Sequence, residues 1–186
     1  MKKINLLFLC LALIGMESCT GDVKDDEQTV TTKSVTKIAV PMDHDDAQFA
    51  AQAATSSLTE IALGKLAIKN GLDKRVKNFG AMMIKDHAKA EEKLLTLAKN
   101  KKITLPATID SADQQTLNSL DKNTGAAFDK AYLNDIIKDH EANIKIFQTA
   151  SKQLMDADLR KYAAKNLMVY KRHLDAIDVI KGSMRE

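Results

Sequence analysis

Downstream of Pro41 the apolar residues recur every three or four positions and never alternate, a spacing that predicts helices and no strands. A first helix, capped by Asp45 or Asp46, runs to Asn70, with Gly71 suited to the left-handed position past its end. Asp73 starts a second helix, whose inward stripe is Val76, Gly80, Met83, His87, Ala90, Leu94 and Ala98. Lysines complement its C-terminus near Lys101 or Lys102. A third long helix follows Thr124, with Phe128, Tyr132, Ile136, His140, Ile144 and Phe147 on one stripe. After a hinge at Met155 to Asp158, a fourth aims Leu159, Ala163, Asn166, Tyr170, His173, Ile177 and Ile180 inward. Between the second and third lies a long connection, Ile103 to Asn123, broken at Pro106 and carrying a short amphipathic helix from about Ser111 to Leu120. Two short connections flank one of roughly two dozen residues, where two to eight are usual, so the pattern favours an all-α, ferritin-like crossover four-helix bundle over an up-down-up-down one.

The N-terminal part lacks this period. Lys2 and Lys3 precede an apolar run from Ile4 to Met16, which is the layout of a secretory signal peptide and too short to span a bilayer. It ends at Met16-Glu17-Ser18-Cys19, which resembles a bacterial lipobox with Glu17 in place of the usual small residue. Cleavage there would make a lipidated Cys19 the new N-terminus. More than one acyl chain, at about 0.8 kcal/mol per buried methylene, anchors a protein without a transmembrane helix. Lys24-Asp25-Asp26-Glu27 is similar to the lysine-plus-acidic signal of surface-exported lipoproteins. Thr20 to Met42 is polar and reads as a tether, with an edge strand through the β-branched Val30 to Val40 as the alternative. The expected organisation is therefore a signal peptide over 1–18, a lipidated tether over 19–44 and a bundle over 45–186, held in the cell envelope at the outer membrane or cell surface. A plainly secreted protein with a coincidental cysteine is the competing reading.

Composition narrows the function. Removing residues 1–18 takes two lysines and Glu17 and moves the formal charge from +3 to +2, which gives no nucleic-acid footprint. Five phenylalanines, three tyrosines and no tryptophan also argue against a base-stacking surface. Cys10 leaves with the signal, so the mature chain has no cysteine pair and its fold rests on core packing.

The chemistry lies in the helix stripes. His87, His140 and His173 each sit on the apolar stripe of a separate helix, and Glu60 lies near the middle of another. Chance puts all three histidines on such stripes about once in thirty trials, since a stripe covers about a third of a helix. At 1.5 Å per residue, His140 and His173 stand equally far from the hinge near Asp156 and should meet. Glu60 and His87 differ by about 7 Å in height across the first hairpin. Neutral imidazoles with a carboxylate suit iron, zinc or copper. Glu91, one turn after His87, is a second candidate carboxylate. Asp86 and Asp139 point about 100° away from their histidines and should at most orient neighbours. Tyr170 and Asn143 stand one turn from His173 and His140 as supporting groups. Glu60 itself is ambiguous, because Leu58, Ile61 and Ile68 define a face competing with Ala53, Leu63 and Ala67. Met82, Met83 and Met168 read as core filler.

At these residues the chain resembles the bacterial domain of unknown function 4142 family. The matching segments are Leu58-Thr59-Glu60-Ile61-Ala62-Leu63-Gly64 with Leu66-Ala67, Phe79-Gly80-Ala81-Met82-Met83-Ile84-Lys85-Asp86-His87, Ile103-Thr104-Leu105-Pro106, Phe128-Asp129-Lys130-Ala131-Tyr132, Asp139-His140 and His173. The resemblance implies an exported, ferritin-like bundle and adds weight to Glu60. It supplies no reaction. The residues three before the histidines are Ile84, Ile137 and Tyr170, so the Glu-x-x-His pairs of carboxylate-bridged di-iron proteins are missing.

These readings lead to an expected transition-metal site of Glu60, His87, Glu91, His140 and His173 on a membrane-anchored bundle, serving binding, sensing or redox protection, with a homodimer as one assembly. The competing expectation is a structural or interaction lipoprotein whose buried histidines form a polar network. Turnover as an oxidoreductase would further need an open coordination position.

Overall fold

The computed structural model describes residues 44–184, and the expected signal peptide, Cys19 and tether lie outside the described residues. Five helices follow in order: α1 (His44–Asn70), α2 (Lys74–Lys101), α3 (Ser111–Asp121), α4 (Gly125–Gln153) and α5 (Ala157–Ser183). Among the described residues there is no strand, and no helix is long and apolar enough to cross a membrane. α1 pairs with α2 and α4 with α5. The two hairpins join through α2 on α5 and α1 on α4, while α3 rests on α1 and α4.

Two buried aspartates fix how the hairpins meet. Asp46, in the first turn of α1, accepts the Met155 and Asp156 backbone N–H groups at 3.0 and 2.9 Å. Asp129, in the first turns of α4, accepts those of Leu72 and Asp73 at 3.0 and 2.9 Å. Each hairpin's leading helix thus caps the other hairpin's hinge, in the same way on both sides. The start of α1 lies at the end of α4 and the end of α1 at the start of α4, so these helices are antiparallel. Lys101 at the end of α2 binds Asp156 at the start of α5 at 2.5 Å, which makes α2 and α5 antiparallel too. The chain must then return along the whole bundle between α2 and α4, and this is the crossover expected from the length of the connection. α3 is laid along α1 on the way. Thr59 donates to Asp113 at 2.5 Å, and Asn70 and Lys69 both reach Asp121 at 2.8 Å.

The predicted stripes are buried, apart from a half-buried Ile144. The ambiguity of α1 is resolved in favour of Ala53, Leu63 and Ala67, which are buried with Glu60, while Ile68 is exposed. Met83 fills the core, but Met168 is 61% exposed and is not filler. Gly71 does not take the left-handed conformation expected of it. Its N–H continues the helix to Ala67, and the chain then turns out to the N–H groups that Asp129 holds. The left-handed cap falls instead on Lys102, φ 58°, where two orphan carbonyls of α2 are satisfied.

α1 and α2 approach each other closely at Gly64 and Gly80. A Cβ on Gly80 would lie 2.7 Å from the Gly64 carbonyl oxygen and 2.8 Å from the Ala67 Cβ, and one on Gly64 would lie 2.6 Å from the Gly80 carbonyl oxygen. In an open helix Gly→Ala gains roughly 0.8–1 kcal/mol. Here the added methyl meets backbone, so Gly80→Ala should lower the unfolding free energy, by about 1–3 kcal/mol as for other overpacked cores. Urea unfolding at equilibrium measures this, and a stabilised variant would show that the helices can part without cost.

Candidate metal centre

The core is divided. One apolar cluster gathers Phe49, Leu94, Phe147, Leu159 and Tyr170 toward the α4–α5 hinge, and another gathers Leu63, Val76, Phe128, Ile136 and Ile177 toward the α1–α2 hinge. Between them, on all four long helices, the stripe changes from apolar to ionisable. Glu60 on α1, His87 on α2, His140 on α4 and His173 on α5 are each no more than 2% exposed.

His140 and His173 meet at the same height, with His140 Nε2 3.1 Å from His173 Nδ1. On the far side of its ring, His173 Nε2 is 3.0 Å from Asp86 Oδ2, which also takes Arg172 Nη2 at 2.7 Å. Burial pushes the Asp86 carboxyl up, but His173 and Arg172 outweigh it and hold it below the usual range. An ionised carboxylate only accepts, so His173 must donate from Nε2 and keep the Nδ1 lone pair facing inward. His87 completes the group. One ring nitrogen from each of the three histidines lies within 4.8 Å of the others. His87 Nε2 is buried and has no hydrogen-bond partner. Burial, reinforced by the neighbouring rings, lowers His87 to about 3 and His173 to about 4, so both are neutral at physiological pH, the state in which imidazole ligates. Tyr170 packs its ring on His87 and His140, with centroids 5.3 and 5.0 Å away.

The opposite face of His140 meets carboxylates. Its Nδ1 is 3.3 Å from Glu60 Oε1 and 3.5 Å from Asp139 Oδ2. These three residues form a second set with ligand atoms within 4.8 Å. Neither Glu60 oxygen nor His140 Nδ1 makes a well-formed hydrogen bond, and the group nearest to pairing with both residues is the Asp139 carboxyl. Burial, then the charge of Asp139, raises the Glu60 carboxyl well above its ordinary value. Asp139 goes the other way. Burial pushes it up, but its Glu60, His140 and Asn143 neighbours outweigh this and bring it to about 2. Asn143 donates to Asp139 at 2.9 Å and accepts from Ser56 at 3.1 Å, so it supports His140 through Asp139.

Of the residues singled out in the sequence, Glu60, His87, His140 and His173 come together, with Glu60 and His173 on different nitrogens of His140 and Glu60 outside the three-histidine group. Glu91 does not join them. It is half-buried and its charge bears on the Tyr162 phenol. The larger surprise is Asp86 and Asp139, which sequence reasoning limited to orienting neighbours. A turn of 100° from the core stripe points at a neighbouring helix, because every helix of a four-membered bundle has two. Asp86 so reaches His173 across α2 and α5, and Asp139 joins Glu60. The adjacency of an aspartate to a core histidine, in Asp86-His87 and Asp139-His140, was the available signal.

Beyond Asp86 and Arg172 a cavity of about 360 Å³ opens between α2 and α5, and Lys89, Lys93, Lys161 and Lys165 also line it. The wall beside Asp86 is thus mainly basic.

A helical bundle with a crossover connection and a ring of buried histidines and carboxylates at mid-height is the class of protein that this geometry defines. The chain belongs to the domain of unknown function family DUF4142, which matches residues 31–180. No curated protein matches it. A solved structure, described as a DUF305 fragment from Deinococcus radiodurans, is similar over 77% of this chain and 99% of its own, with a TM-score of 0.69 and 8% identity. That likeness concerns the fold alone.

An unpaired buried polar group costs about 1–3 kcal/mol, and more if charged. Glu60→Leu, which removes two such oxygens and fills the space, should leave the metal-free protein as stable or more stable, by up to about 3 kcal/mol. Denaturant unfolding of chelator-treated protein tests this. A clear loss would mean that Glu60 holds the fold.

Proposed function

We propose that this chain is an envelope lipoprotein whose bundle binds a transition-metal ion through His87, His140 and His173, with Asp86 orienting His173 from behind. The observation that carries the reading is the buried convergence of three ring nitrogens from three helices within 4.8 Å of one another, in a group where His87 keeps a buried, unpartnered Nε2. Three imidazole nitrogens suit zinc, copper or iron. A bound ion of this kind supplies Lewis acidity or, for copper and iron, one-electron redox capacity. The residues themselves hold His173 in one tautomer, exclude water by burial and leave Tyr170 against two of the rings. Sequestration, sensing or redox protection in the envelope fits these features.

The other reading, a metal-free polar network, is favoured by the bonds that already run from His140 through His173 to Asp86 and Arg172. It accounts for one face of the layer but leaves His87 Nε2 unpartnered.

Elemental analysis of purified protein separates the two. The wild type should carry tightly held metal and the triple alanine variant of His87, His140 and His173 should not, whereas equal content would end the metal reading. Asp86→Asn should retain the site but weaken affinity by about 10- to 100-fold, as loss of an orienting carboxylate does. A chelator should lower the melting temperature of the wild type and leave that of the triple variant unchanged.

Anchoring is read from the lipobox-like Met16-Glu17-Ser18-Cys19. Cys19→Ser should move the protein from the membrane fraction to the soluble fraction of the envelope. A variant that still sediments with membranes would dispose of the lipid anchor.

A further inference from the structure

The three-histidine set uses one nitrogen of His140, and the other nitrogen faces a different set of ligands. We infer that His140 is shared between two cation sites, the second formed by its Nδ1 with the carboxylates of Glu60 and Asp139. This rests on the three-histidine reading above and extends it from one ion to a pair bridged by one imidazole ring.

Geometry is the first support. Two ligand atoms held about 2.0–2.1 Å from one tetrahedral ion lie about 3.3 Å apart. His140 Nδ1 is 3.3 Å from Glu60 Oε1 and 3.5 Å from Asp139 Oδ2, while His140 Nε2 is 3.1 Å from His173 Nδ1. Both faces of the ring therefore already have ligand-to-ligand spacing. The second support is the set of unmet groups. Glu60 Oε1 and Oε2 and His140 Nδ1 are fully buried and make no well-formed hydrogen bond, with the Asp139 carboxyl as the neighbour common to both residues, and a cation held among the three would satisfy them together. Tyr132 Oη, near enough for its phenol to feel the Glu60 charge, is buried and unpartnered as well.

Charge is the third. Asp113 on α3 and Asp135 on α4, both half-buried, add their fields to that of Asp139 at Glu60. This side of the layer is strongly acidic, whereas the side beyond His173 carries Arg172 and the four lysines of the α2–α5 cavity. A carboxylate-rich, oxygen-dominated site and a nitrogen-only site thus lie back to back. A ring ligating through both nitrogens has lost its N–H proton and a ligating Glu60 has lost any carboxyl proton, and both pass to solvent when the second cation binds. The resulting imidazolate, with Glu60 and Asp139, then places three negative charges around the two cations, while Asp86 is balanced by Arg172.

Copper(II) is the probe, added to the purified full chain after metal removal. Two ions per chain are expected by equilibrium dialysis. The first equivalent should give a full-intensity paramagnetic resonance signal with nitrogen hyperfine structure. The second should cut the integrated intensity, recorded at liquid-helium temperature, to less than half of the bound copper, because the weak coupling through one ring pairs the two spins only in the cold. Glu60→Gln and Asp139→Asn, each checked for an unchanged helical spectrum, should bind one ion with full intensity. Two ions with undiminished intensity would deny the shared ring. One ion in the wild type, unaffected by Glu60→Gln and lost in the triple histidine variant, would overturn the second site and leave the first standing. No bound copper in any form would bring down both.

Discussion

Burying four ionisable side chains at one height of a helical bundle is the constraint on which this structure turns. A helix can hide an apolar stripe against any neighbour, but a carboxylate or an imidazole tolerates burial only where another group meets it at hydrogen-bonding or ligating distance. His140 is the hub of that arrangement. It touches His173 on one side and Glu60 on the other, and so ties α5 and α1 to α4 at a single height. The apolar clusters above and below are alike in kind, and the polar layer discriminates one register from the next together with the aspartate clamps at the hinges.

The rest of the fold serves that register. Asp46 and Asp129 lock each hairpin's leading helix to the other's hinge by paired backbone bonds, and Gly64 and Gly80 let α1 and α2 approach at their crossing. The two aspartate clamps occupy equivalent places in the two hairpins, which gives the bundle an approximate internal two-fold relation. The layer does not share that symmetry. α1 contributes a carboxylate where the other three helices contribute imidazole, and the flanks differ in sign, acidic around Glu60 and basic beyond Asp86. Groups left unpaired in a layer so closely placed carry a stability cost, and sites that bind ions commonly carry one.

Helix boundaries, the connection lengths and the three histidines were legible because each depends on local spacing. Period alone places Val76, Met83, His87, Ala90 and Leu94 on one face whatever that face meets. Equal distance from a hinge was enough to bring His140 opposite His173. Periodicity fails where a residue lies off the stripe. Asp86 and Asp139 are about 100° from their core faces, and nothing local says whether that direction is water or another helix. Glu91 is the converse case, a residue with suitable spacing along α2 whose side chain ends up beside Tyr162 rather than the histidines.

Sequence by itself determined an all-helical chain, the four long segments, the crossover implied by a connection too long for a turn, and three imidazoles aimed at the interior. These follow from short-range geometry, in which each residue's direction is fixed by its neighbours along one helix. Tertiary structure alone decided which nitrogen faces which partner, that Asp139 joins Glu60 while Asp86 serves His173, and that the layer has an acidic and a basic flank. Those outcomes depend on the rotation and crossing of one helix against another, which is set by packing among residues far apart in the chain.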